Sequence, residues 1–187
     1  MIISVLGATG ATGQHFLRQA LEAGHTVRAL VRNAAKLDAA FQAHENLIVV
    51  PDIDIFSVDS LEKGFDGVDA VVSCLGTRPT LMPWGQEITF HSESIKPIVN
   101  AMRKCNVGRI VAMTSMFTDD DPSYGFFVRW ILKPLFNGRN LDDMARMENF
   151  LEEQCQGEGI VVWEWAAFVS LESGYQFGLP SLFSRNH

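Results

Sequence analysis

The stretch IISVLGATGATGQHFLRQALEAGH, residues 2–25, decides how the chain folds. Ile2–Leu6 is a short branched run bounded by glycine, which reads as a buried strand. Gly7, Gly10 and Gly13 follow at three-residue spacing. Glycine is chosen where backbone must turn sharply or approach something closely. From Gly13 the period changes: Phe16, Leu17, Ala20 and Leu21 recur at helical spacing, and Gly24 stops the helix. The opening is thus a strand, a glycine turn and a helix.

The same alternation continues along the chain. HTVRALVR (25–32), NLIVVPDI (46–53), VDAVVSCLG (68–76), GRIVAMTSM (108–116) and GIVVWEWAAF (159–168) read as further strands. Between them, residues 34–41 read as one short helix, and SVDSLEKGF (57–65) as a helix opened by Ser57 or Asp59. SIKPIVNAMRKCNV (94–107) reads as a helix with Pro97 in its first turns. NLDDMARMENFLEEQC (140–155) is strongly amphipathic, with Met144, Met147, Phe150 and Leu151 on its core stripe. Strand–helix alternation predicts an α/β fold, a doubly wound parallel sheet of the Rossmann type covered on both faces. Glu164, costly to bury alone, predicts an edge position for the sixth strand. One domain is expected over residues 1–187, with a core at 1–166 and a divergent, weakly ordered tail at 167–187.

Composition excludes several function classes. The net charge of -7 argues against binding nucleic acid, which requires a basic face. Cys74, Cys105 and Cys155 are far apart and form no CxxC, so neither a disulfide framework nor a zinc site is indicated. A reducing, cytoplasmic setting is expected. The N-terminal apolar run is too short for a signal peptide, and no run reaches membrane-spanning length. The histidines show no ligand spacing, and the acidic loop at residues 119–122 reads as solvated, so no metal is expected. Cys74 reads as a small buried hydrophobe within the fourth strand. The aromatic segment 124–136 reads as a wall beside the ligand crevice, suited to a flat substrate.

In a doubly wound sheet the first strand-to-helix turn is where pyrophosphate binds. Gly7 permits the turn, Gly10 lets phosphate approach, and Gly13 lets helix pack on strand. Free N–H groups and the dipole of the following helix supply the attraction. The same glycines could form a tight turn that holds nothing, but their place between strand and helix favours a dinucleotide. NAD-binding sheets carry an acidic residue at the end of the second strand to accept from the ribose 2′-hydroxyl. Here that place holds Arg32, with Lys36 one turn on. A solvated arginine is the bland alternative; a pair with a 2′-phosphate favours NADP(H).

GATGATGQ, VRALVRNAAKL, DGVDAVVSCLGTR, PIVNAM and GRIVAMTSMF together resemble the flavin reductase (NADPH), or biliverdin-IXβ reductase, branch of the NmrA-like atypical short-chain dehydrogenases. The resemblance runs from Met1 to about Gly159. It implies that Gly7, Thr9, Gly10, Ala11, Thr12 and Gly13 form the phosphate loop, and that Arg32 meets the 2′-phosphate. It implies adenine contacts from Asp52 and Ile53. Leu75, Gly76, Thr77 and Arg78 would lie along the nicotinamide half, with Thr114 and Ser115 ending the fifth strand. Ser115 would stand beside the nicotinamide, as the one candidate catalytic residue; capping the strand end is its alternative. The implied activity is hydride transfer from NADPH to a flavin, tetrapyrrole or quinone-like acceptor by a monomer.

The chain also departs from that branch. Tyr124 lacks the lysine of a YxxxK pair, as the branch does. WEWAAFVSLESG follows the sixth strand without the branch's proline or histidine, Val169 falling near the histidine's place. The tail YQFGLPSLFSRNH reads as an altered or truncated end, so the cofactor half is expected intact and the substrate half incomplete. That leaves a second class open, a catalytically weak NADP(H)-binding regulatory or redox-sensor module.

Overall fold

The computed structural model describes residues 1–77, 88–115, 118, 138–158 and 161–166. Strands β1 (Ile2–Leu6), β2 (Thr26–Leu30), β3 (Leu47–Val50), β4 (Ala70–Ser73), β5 (Arg109–Thr114) and β6 (Val161–Ala166) form one sheet. Their order is β3-β2-β1-β4-β5-β6, and every pairing is parallel. Parallel neighbours require crossovers. Helices α1 (Ala11–Glu22), α2 (Ala39–Gln42), α3 (Val58–Phe65), α4 (Phe90–Lys104) and α5 (Gly138–Glu158) accompany them. Among the described residues β6 pairs only with β5, which places it at the sheet edge as expected.

Both faces of the sheet are covered, because alternate strand residues point opposite ways. On one face Ile3, Val5, Val27, Ala29, Val72 and Val111 pack with Phe16, Leu17, Ala20 and Leu21 of α1. On the other, Leu6, Leu30, Val71 and Ile110 pack with α3, α4 and α5 through Leu61, Phe65, Ile98, Met102, Met147 and Leu151. Burying a leucine-sized side chain contributes about 1.5–3 kcal/mol. The two layers therefore hold the sheet ends in place beneath the site. Met144, Met147 and Leu151 are buried as expected, and Phe150 is partly buried against the same core.

Three local expectations need correction. Residues 34–41 are not one helix: a 3-10 turn (Ala34–Lys36) ends at extended Leu37, and Asp38 opens α2 by accepting from the Ala40 N–H. Each short piece has its own side-chain cap, since Asn33 does the same for Ala35. Helix α4 begins at Phe90, four residues earlier than read, so Pro97 lies well inside it. The reason is a cap supplied by another helix, described below. Cys74 lies one residue beyond β4, not within it. Ser57 opens α3, accepting from the Ser60 N–H.

Candidate functional site

Strand order reverses between β1 and β4: β2 and β3 follow outward on one side of β1, while β4 lies on the other. The crevice outside the carboxyl ends of the strands at such a switch point is where ligands bind in this architecture. Leu6 pairs with both Leu30 and Ser73, so the residues after β1, β2 and β4 emerge side by side.

The glycine turn sits there. Gly7 has φ +75, a left-handed conformation that favours glycine, and a Cβ on it would stand 2.6 Å from the Cys74 carbonyl carbon. Gly7 O accepts from Gly10 N–H at 3.0 Å, closing the turn. Gly13 is buried, and a Cβ there would stand 2.8 Å from Ala8 Cα and overlap the Gly7 carbonyl. These two glycines are demanded by the fold itself. Gly10 differs. It is exposed, its φ of -79 suits any residue, and a Cβ would meet only Gly7 O, at 3.3 Å. Among the described residues nothing else lies within 4 Å of that Cβ position.

Gly10 is also the N-cap of α1; the first turn holds no acidic residue, and among the described residues no side chain caps it. The first intrahelical bond is from Gln14 N–H to Gly10 O at 2.9 Å. The N–H groups of Ala11, Thr12 and Gly13 precede it and have no partner within the helix. A positive helix end beside an exposed glycine suits an anionic, phosphate-bearing group. Thr9 and Thr12 are half-buried and Ala11 exposed along the same turn.

Arg32 follows β2 by two residues and is exposed, without a partner among the described residues. Between β3 and α3, Asp52 has φ +56, a left-handed conformation rare outside glycine and tolerated best by Asn and Asp. Asp52 is exposed, while its neighbour Ile53 is buried and its N–H donates to Val31 O at 3.2 Å. That bond carries the end of β3 across to the end of β2, next to Arg32.

After β4, Cys74 N–H donates to Leu6 O at 2.9 Å, which prolongs the ladder and locks this loop to the glycine turn. Burial pushes the Cys74 thiol up to about 12, as befits an inert packing residue. Leu75 is half-buried and Gly76 exposed. Among the described residues a Cβ on Gly76 would meet only Met113 Cε, at 3.9 Å. Thr77 Oγ1 donates to Asn140 Oδ1 at 2.9 Å. Thr114 is buried at the end of β5, and Ser115, just beyond, is half-buried. The Ser115 carbonyl accepts from Thr118 Oγ1 at 3.4 Å. The structure thus brings every described candidate to one edge of the sheet. Arg78, Tyr124, the segment 124–136 and the tail from residue 167 lie outside the described residues.

One group at this edge was not foreseen. Asp143 on α5 is fully buried and accepts from the N–H groups of His91 (2.6 Å) and Ser92 (3.2 Å) and from the Ser92 hydroxyl. It caps α4, whose own N-cap residue, Thr89, makes no side-chain bond. The signal was available: Asp143 falls four residues before Met147, on the apolar stripe of an amphipathic helix, where a carboxylate needs partners.

A doubly wound parallel sheet with a glycine turn and a helix N-terminus at its switch point defines a dinucleotide-binding Rossmann domain. A family model described as NAD(P)H-binding matches residues 7–157, and the chain belongs to that family. Protein YwnB of Bacillus subtilis, itself uncharacterized, is 28% identical over 123 residues, covering 64% of this chain and 51% of that protein. The photosystem II assembly factor Ycf39 of Synechocystis is 35% identical over 80 residues, 43% of this chain and 24% of that protein. The chain spans about half the length of the first of these and a quarter of the second. Among solved structures, a short-chain dehydrogenase/reductase from Veillonella parvula superposes with a TM-score of 0.69 at 14% identity, over 88% of this chain and 67% of that one. The NADPH-dependent quinone oxidoreductase QOR2 of Escherichia coli, solved with NADPH, gives 0.62 at 20% identity, over 88% and 47%. These two likenesses are of fold.

Proposed function

We propose that the protein is an NADPH-dependent reductase of flavins or other planar conjugated acceptors, quinone-like or tetrapyrrole. The observation that carries the cofactor side is the exposed Gly10 at the N-terminus of α1, following a β1 end that pairs with the end of β2, two residues before Arg32. In this reading the N–H groups of residues 11–13 take the pyrophosphate, and Gly10 leaves it room. Arg32 pairs with the 2′-phosphate. Asp52 and Ile53 flank the adenine, and residues 75–78 line the nicotinamide half. Thr114 supports the end of β5, from which the Ser115 hydroxyl orients the nicotinamide or acceptor by hydrogen bonding. When bound, the cofactor supplies a hydride to the acceptor, which takes its proton from solvent. The chain's own contribution is positioning. The resemblance to the flavin reductase branch and the fold shared with a quinone oxidoreductase support the acceptor class.

The match to an assembly factor favours a second reading, an NADP(H)-binding module without turnover. Steady-state NADPH oxidation with FMN separates the two. The reductase reading expects slow oxidation that depends on FMN and saturates in NADPH, and falls when Ser115→Ala is introduced. Tight NADPH binding with no FMN-dependent oxidation would decide for the second.

A further inference from the structure

One face of α5 ties together two parts of the chain that are far apart in sequence. Asn140, in its first turn, accepts from Thr77 Oγ1, 63 residues away. Asp143, one turn on, caps α4 from 52 residues away at His91 N–H. Arg146, a turn further, donates to Ile88 O at 2.9 Å and lies 3.7 Å from Asp143 Oδ1. Spacing of three places all three on one face of the helix. The same helix is anchored in the core by Met147 and Leu151, so its first turn is a fixed point. Beside them, the ring of the buried His91 has an Nε2 without a hydrogen-bond partner among the described residues.

We propose that Asn140 is a positioning residue for the nicotinamide half of the cofactor. It holds the Thr77 hydroxyl, and through it the backbone of residues 75–77, at the distance from the glycine turn that a bound dinucleotide requires. Gly76, exposed, has no side chain of its own to fix this loop, and Cys74 ties its near end. Asn140 ties the far end. The inference rests on the assignment of residues 75–77 to the nicotinamide half made above.

The test compares two probes by calorimetry: NADPH, and 2′,5′-ADP, which carries only the adenine half with its phosphates. Asn140→Ala should weaken NADPH about tenfold and leave 2′,5′-ADP within about twofold. Thr77→Val should do the same, and the double variant should be no worse than Thr77→Val alone, because one interaction is removed either way. Asn140→Asp, which keeps an acceptor oxygen, should restore most NADPH affinity. If the alanine variant does not fold, Asn140→Leu takes its place, with 2′,5′-ADP binding as the check on folding. Losses that multiply in the double variant, equal weakening of both probes, or unchanged NADPH affinity would each overturn the proposal. Wild-type protein that binds neither probe would overturn the cofactor-site reading itself, and this inference with it.

Discussion

Gly13 packs against the Gly7 carbonyl so closely that α1 can lie on β1 only if Gly13 has no side chain, while a side chain on Gly7 would strike the Cys74 carbonyl after β4. Gly10, between them, is far less constrained: among the described residues a Cβ there would press only on Gly7 O, at 3.3 Å. The two kinds of glycine should separate on mutation. Gly13→Ala forces backbone apart and should cost about 1–3 kcal/mol or more in urea unfolding. Gly10→Ala should change stability by less than about 1 kcal/mol. Gly10→Val should keep near-normal helical content by circular dichroism yet abolish NADPH binding, since its branched side chain fills the pyrophosphate's space. Unaltered calorimetric affinity in Gly10→Val would refute the cradle.

His91 gives a pH dependence. Burial lowers its pKa below the usual 6.5, with Asp143 and Asn140 acting against that. The folded state thus prefers the neutral ring more than the unfolded state does. Its contribution to stability is fully present above pH 6.5 and is lost as pH falls below 6.5 towards the folded value. His25 is shifted the same way, by burial and then by the N-terminal charge, and adds to the slope. Urea midpoints from pH 5 to 7.5 should rise with pH, and His91→Gln should flatten part of that rise. A variant with the wild-type slope would show that His91 does not contribute.

Cys74 should be unreactive. With its thiol pushed up to about 12, about one part in ten thousand is thiolate at pH 8. Iodoacetamide on native protein, mapped by mass spectrometry, should leave the Cys74 peptide unmodified until the chain is denatured. Rapid native labelling would contradict its place as a packing residue.

Much of this architecture was legible because its signals are local. Strand, glycine turn and helix occupy adjacent residues, so period and spacing place Gly7, Gly10 and Gly13 at a switch point without tertiary information. Arg32 could be located for the same reason, two residues past a readable strand. What escaped depends on partners distant in sequence. Helix α4 starts at Phe90 because Asp143 caps it from α5, and no residue near Phe90 announces that. The Thr77–Asn140 bond is hidden likewise. Asp52 was placed by resemblance, but its left-handed backbone shows only in the fold. The break at Leu37 and Asp38 was missed because alanines on both sides favour helix, while the Asn33 and Asp38 caps favour two short turns.

The central claim is that the β2 end selects the phosphorylated cofactor, and titration calorimetry of NADPH against NADH tests it most directly. An arginine–phosphate pair contributes about 1.5–3 kcal/mol, so NADPH should bind roughly ten- to hundredfold more tightly than NADH. Arg32→Ala should erase most of that difference while leaving NADH affinity near its wild-type value. Equal affinities for the two cofactors in the unmodified protein would contradict the account.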